Sequence, residues 1–212
     1  MMGKVRCNIS ISLDGYAAGP NQSLADPLGE GAERLHDWVV GLEAWRREHG
    51  MEGGEVNAST AVIEESIANV GAGIMGRNMF GGGRGPWGDE PWKGWWGEDP
   101  PFHTPIFVLT HHPREPLTLS DTTFVFVTDG IESALERARA AAGDKDVTIN
   151  GGAATIRQYL AAGLLDELEL HVTPVILGSG ERLLDDIGAV KFEQIRAIEA
   201  PGVTHLKYRV VR

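Results

Sequence analysis

"TINGGAATIRQYLAAG", residues 148–163, decides the fold. A short strand-like run, "DVTIN", meets two glycines and passes at once into a predicted helix from Gly152 to Ala162 that stops on Gly163. A strand that turns directly into a helix is the repeating unit of an α/β sheet. The Gly151-Gly152 pair at the seam has two readings. It makes a tight turn, or it lets a ligand's phosphate approach bare backbone amides.

Outward from that seam the same grammar recurs. Lys4 to Leu13, "KVRCNISISL", alternates strictly, with Val5, Cys7, Ile9, Ile11 and Leu13 on one face and Asn8, Ser10, Ser12 and then Asp14 on the other. After a loop, Leu35, Trp38, Val39, Leu42 and Trp45 repeat at helical spacing up to His49-Gly50. Asn57 or Ser59 caps a second predicted helix carrying Ile63, Ile67 and Val70, and "AGIM" is a short buried strand ending at Gly76. "PIFVLT" and "TFVFVT" are strands, and Ile131 to Ala142 is a helix. "DELELHVTPVILG", "VKFEQIRAI" and "VTHLKYRVV" close the chain as three strands with no helix between them. This order predicts one domain over residues 1–212. Its expected architecture is a mixed, mostly parallel, roughly eight-stranded sheet flanked by helices.

A chain of 212 residues with 42% apolar content can bury one substantial core. The net charge of −11 argues against nucleic acid or an anionic membrane as partner. An anionic ligand needs local donors, which helix N-termini and single arginines provide. No apolar run reaches the ~18 residues of a membrane span, and "MMGKVRCNIS" lacks the apolar stretch of a signal peptide, so a cytoplasmic protein is expected. Cys7, the single cysteine, excludes an intrachain disulfide and any multi-cysteine metal site. His111-His112 are adjacent and no ligand-like histidine spacing occurs, so no metal is expected either.

Three predicted strand ends carry candidate chemistry: Gly76-Arg77-Asn78, then Thr110 with His111-His112-Pro113-Arg114, then Gly151-Gly152-Ala153. Ligands of open α/β sheets lie at the carboxyl ends of strands. Free amides of a first helical turn there suit a pyrophosphate, and the arginines suit further phosphate. The polar stripe ending at Asp14 either lines an interior cavity, where Asp14 orients a ligand or relays a proton, or marks an edge strand with one wet face. Trp87, Trp92, Trp95 and Trp96 crowd a glycine- and proline-rich loop over residues 81–101. They form a stacking wall for a planar substrate or anchor the loop to the core.

The stretches "SISLDGYAAG", "GIMGRNMF", "VLTHHPRE" and "INGGAATIRQYLAAGLLDELELHVTPVILGSGERLL" resemble the dihydrofolate reductase superfamily. The resemblance is nearest to the branch of the reductase domain of the bifunctional riboflavin-biosynthesis deaminase/reductase, and Tyr16 stands where that branch commonly has lysine. The resemblance implies NADPH held across the strand ends. Gly151, Gly152, Ala153 and Thr155 would surround the pyrophosphate and Gly76 and Arg77 would form the second nucleotide-binding turn. Thr110, His111 and Arg114 would lie near the 2′-phosphate, with Asp14 and Ala17 beside the nicotinamide. It implies a homodimer and hydride transfer to a C=N or C=O carbon of a small heterocyclic substrate; if the tryptophan loop is a stacking wall, Trp87 and Trp92 are the expected substrate contacts. The similar activities are 5-amino-6-(5-phosphoribosylamino)uracil reductase and dihydrofolate reductase. The alternative is a module that binds NADP(H) without turnover.

Overall fold

The alternation of apolar and polar residues from Lys4 onward builds β1 (Val5–Ser12), followed by the short β2 (Tyr16–Ala18). The structure is a computed structural model and describes residues 3–83, 85–88 and 92–211. A 3₁₀ turn (Ala32–His36) leads into α1 (Asp37–Val40), α2 (Glu43–Glu48) and α3 (Ala58–Ile67). Then come β3 (Val70–Gly76), α4 (Arg77–Phe80), β4 (Ile106–Leu109), β5 (Leu117–Leu119), β6 (Thr122–Val127) and α5 (Ile131–Ala142). The chain closes with β7 (Asp146–Gly151), α6 (Ala153–Ala161), β8 (Glu167–Thr173), β9 (Glu181–Arg182), β10 (Lys191–Ala200) and β11 (Val203–Val211).

Nine strands form the main sheet in the order β10-β11-β8-β1-β7-β3-β4-β6-β5, one more than the rough count from sequence, and β2 pairs with β9 in a separate ribbon. β8, β1, β7, β3, β4 and β6 run parallel; β11 and β10 at one edge and β5 at the other are antiparallel. One face of the sheet carries α5 and α6 over the main apolar core, in which Ile156 and Tyr159 are fully buried against strand residues such as Cys7, Ile74 and Leu168. On the other face Phe80 of α4 packs with Ile106, Phe124 and Phe126. Trp38, Val39 and Leu42 pack with Val203 and Ile63.

Four expectations change. The helix read through Leu35 to Trp45 is broken into the 3₁₀ turn, α1 and α2. Its break lies where Leu42 turns extended, with Glu43 N–H donating to Glu55 O (2.9 Å) and Glu55 N–H to Gly41 O (2.8 Å); tertiary bonds outcompete the helical ones. β8 stops at Thr173 because Pro174 brings no N–H to the ladder, so residues 175–178 are loop. β1 lies between β8 and β7, which removes the edge-strand reading of its polar stripe: Ser10 and Ser12 are 6% and 0% exposed. Leu13, read as the end of the apolar face, lies beyond the strand and is exposed. Asn57 is the cap of α3: its Oδ1 accepts from Ser59 N–H (2.8 Å), while Thr60 Oγ1 accepts from Asn57 N–H (3.1 Å).

Candidate functional site

The seam that opened the sequence is a bare helix start. Gly151 has φ +132°, a region that favours glycine, and a cis peptide bond joins it to Gly152. Gly152 caps α6 without a side chain, and a Cβ built there meets nothing within 4 Å. Thr155 and Ile156 amides donate back to Gly152 O, whereas among the described residues nothing accepts from those of Ala153 and Ala154. Two outward amides at the positive end of a helix dipole, facing open space, suit an anion.

The neighbouring strand end at β3 approaches this one closely. A Cβ on Gly76 would sit 2.3 Å from Thr155 Oγ1, so Gly76 is required by contact between the two turns. Arg77, next along, folds back onto the tryptophan loop. Its Nε and a terminal nitrogen donate to Gly83 O (3.2 Å) and Gly82 O (3.0 Å), and its guanidinium covers the Trp87 ring at 3.0 Å. Arg114 donates to Trp92 O (2.6 Å) and lies 4.7 Å from the same ring. Burial, then the charge of Arg114, lowers Arg77 to about 10. Among the described residues no carboxylate pairs with either arginine, and Arg77 Nη1 is buried without a partner. Among the described residues, then, the pair is a cationic spot at the strand ends with no carboxylate against it.

Thr110 is used locally: its Oγ1 accepts from His112 N–H (3.2 Å) and sits buried in the turn, while His111 is exposed. Trp87 N–H donates to His112 O (2.9 Å) and Trp92 N–H to Phe80 O (2.8 Å), and both rings, with Trp96, pack against the apolar cluster around Phe80. The anchoring role of the tryptophans is thus present in the structure. Residues 84 and 89–91 of the expected 81–101 loop lie outside the described residues. A cavity of about 220 Å³ lies beside α4, between Gln22–Pro27 and Asn78, Gly81, Gly83 and Trp95. A larger one of about 350 Å³ lies on the flank of α5 and touches none of the candidate residues.

Asp14 follows β1 and clamps a second loop. Its carboxylate accepts from Leu177 N–H (3.2 Å) and Gly178 N–H (2.7 Å). A hydrogen bond with Ser12, then these amides, hold it down to about 2. Such a carboxylate is ionised near neutral pH and positions the amides it accepts from. Ala17 lies in the β2–β9 ribbon beside it.

Sequence reasoning missed a second cluster, in the interior. Ser10, His171 and His205 are neighbours across β1, β8 and β11, and Trp38 lies on both imidazoles. Its signal was the parity of "DELELHVT", where Glu167, Glu169 and His171 share a face with Thr173. Asp99, His103 and Asp121 also gather, exposed, before β4 and β6 at the opposite end of these strands, where His103 pairs with Asp121 at 2.8 Å. Among the described residues, no helix is long and apolar enough to cross a membrane.

The profile of the RibD C-terminal domain family matches residues 3–207. The Bacillus subtilis (strain 168) protein YyaP, uncharacterized, is 30% identical over 95 residues, which is 42% of this chain and half the length of that protein. Acinetobacter baumannii RibD superposes with a TM-score of 0.62 at 17% identity, covering 100% of this chain and 59% of that one. Dihydrofolate reductase from Enterococcus faecalis, in complex with NADP(H) and RAB-propyl, superposes at 0.53 with 11% identity, covering 99% and 98%. These superpositions establish a shared dihydrofolate reductase-like fold.

Proposed function

The chain belongs to the RibD C-terminal domain family, and from that premise we propose that it is an NADPH-dependent reductase acting on a small heterocyclic substrate. The observation that carries the reading is the uncapped start of α6, where Gly152 faces open space and two amides point outward. Family membership supports reductase chemistry; the open, uncharged turn and the two converging arginines fit a dinucleotide that carries an extra phosphate.

In this reading the amides of Ala153 and Ala154 hold the pyrophosphate, and Thr155 keeps the α6 turn in register with Gly76. Arg77 and Arg114, stacked on Trp87, hold the remaining phosphate. Thr110 and His111 shape the adjoining rim. When bound, NADPH supplies the hydride. Asp14 fixes the loop of Leu177 and Gly178 that borders the nicotinamide end, together with Ala17, and leaves proton delivery to another group. Trp87 and Trp92 act on substrate only through the loop they anchor. The active species is a homodimer in the cytoplasm.

Gly152→Val tests the carrying observation. The new side chain has room, so thermal unfolding should be unchanged while the Kd for NADPH, read by fluorescence titration, rises at least about tenfold. An unchanged Kd removes the pyrophosphate role. Replacing Arg77 and Arg114 with alanine should weaken NADPH more than NADH. NADPH binding with no loss of reduced-nicotinamide absorbance across a panel of heterocyclic substrates would favour a binding module without turnover.

A further inference from the structure

Ser59 Oγ lies 2.9 Å from His205 Nε2, and His205 Nδ1 lies 2.9 Å from His171 Nδ1. Two neutral imidazoles facing each other through Nδ1 share one proton, so the three side chains form a directed hydrogen-bond wire. With the Ser59 hydroxyl accepting, His205 carries its proton on Nε2 and His171 on Nδ1, which leaves His171 Nε2 a bare acceptor. With the hydroxyl donating, the wire reverses and His171 Nε2 carries a proton. In both arrangements the wire ends on His171 Nε2, which has no partner among the described residues and belongs to a residue only 3% exposed. His36 Nδ1 is a second buried nitrogen without a partner among the described residues.

A flat ring already packs against both imidazoles. The Trp38 indole lies 4.8 Å from the His171 ring and 4.9 Å from the His205 ring, and its N–H donates to Ser10 Oγ at 3.1 Å. An indole has one polar atom, so it satisfies Ser10 and leaves His171 Nε2 unpaired, which is costly in a buried setting. Trp38 is carried on α1, four residues long, between the 3₁₀ turn and the extended Leu42. Such a short element can swing out without unravelling a long helix.

We infer that Trp38 is an internal stand-in for a planar ligand ring, and that His171, backed by His205 and Ser59, is the specificity-determining residue that reads the ring replacing it. The ligand is a fused or single aromatic heterocycle with polar atoms on more than one edge. The wire lets one nitrogen meet either a donor or an acceptor without taking a charge into the interior. The site lies one residue pair below Ser12, whose Oγ accepts from Tyr16 N–H (2.9 Å) beside Asp14. As the substrate pocket of the reductase it rests on the function proposed above; as a ring-binding site it stands without it.

Indole and 2-aminobenzimidazole are the probes. Trp38→Ala should bind both by calorimetry, with 2-aminobenzimidazole favoured at least about tenfold, and the preference should vanish in Trp38→Ala/His171→Leu. Equal affinities for the two rings in Trp38→Ala would reduce the site to an apolar hole and overturn the inference. If Trp38→Ala does not fold, ¹⁵N spectra of the wild-type protein decide. Addition of 2-aminobenzimidazole should shift His171 Nε2 and His205 Nδ1 together, and unmoved resonances at saturating probe overturn the wire. NADPH titration of the same proteins separates the two ideas: ring binding without NADPH binding sinks the reductase and leaves the pocket.

Discussion

The two faces of the central sheet are built on opposite principles. Toward α5 and α6, β1, β8 and β11 present Cys7, Ile11, Leu168, Leu170 and Val210, all buried and apolar. Toward α1 and α3 the same strands present Arg6, Ser10, Ser12, Glu167, Glu169, His171, His205 and Lys207, nearly all equally buried. Arg6 donates to the carbonyls of Glu65 (3.0 Å) and Ala68 at the end of α3, and its Nε lies 3.2 Å from Asp146 without hydrogen-bond alignment. Lys207 joins Glu65 and Glu167, and Arg196 joins Glu65 and Glu169. The first face is held by area removed from water, which tolerates change of shape. The second depends on each charge finding its partner.

That contrast can be broken by volume-conserving changes. Lys207→Met keeps the bulk but takes one cation from Glu65 and one from Glu167, leaving them only Arg196 and the exposed Lys4, and should cost about 3 kcal/mol in urea denaturation. A cost under about 1 kcal/mol would mean that the polar face is as forgiving as the apolar one. Acid should come next in effect. His171 and His205 are depressed to about 3 and about 4, chiefly by burial, against 6.5 for the free group. The unfolded chain therefore takes up protons below about pH 6.5 that the native state refuses, and stability falls from there until the pH passes the native values. Glu65 and Glu167 are also lowered, because bonds from their cationic partners outweigh burial, so their contribution is lost at still lower pH, below about 4.5. Urea midpoints should drop between pH 7 and pH 5, and a His171→Leu/His205→Leu protein should show a flatter decline; parallel declines would exonerate the imidazoles. The smallest effect belongs to the apolar face, where Ile156→Val, at a fully buried position, should cost about 1 kcal/mol with no pH dependence.

Much of this was legible in the chain. α5 occupies the residues its periodicity predicts, β7 ends one residue beyond "DVTIN", and α6 starts one residue later and stops one sooner than expected, because the signals lie within each element. The alternation of β1 also fixed which side chains share a face. It could not say that the polar face was interior, since that depends on β8 and β7 flanking β1, and β8 lies more than 150 residues away. The candidate site divides in the same way. Gly151-Gly152 marked itself through glycine chemistry at a strand-to-helix seam. Arg77 and Arg114 were visible as residues, but their convergence on Trp87 was not, because long side chains take their direction from what they pack against.

By itself, then, the sequence determined the alternating elements, the bare turn before α6 and the polar stripe on β1, each written in neighbours a few residues apart. Only the tertiary structure decided that this stripe would meet His171 and His205 beneath Trp38, side chains drawn from three remote segments. Hydrogen bonds between such segments have no local periodicity; they exist only once sheet order and register bring their atoms within about 3 Å.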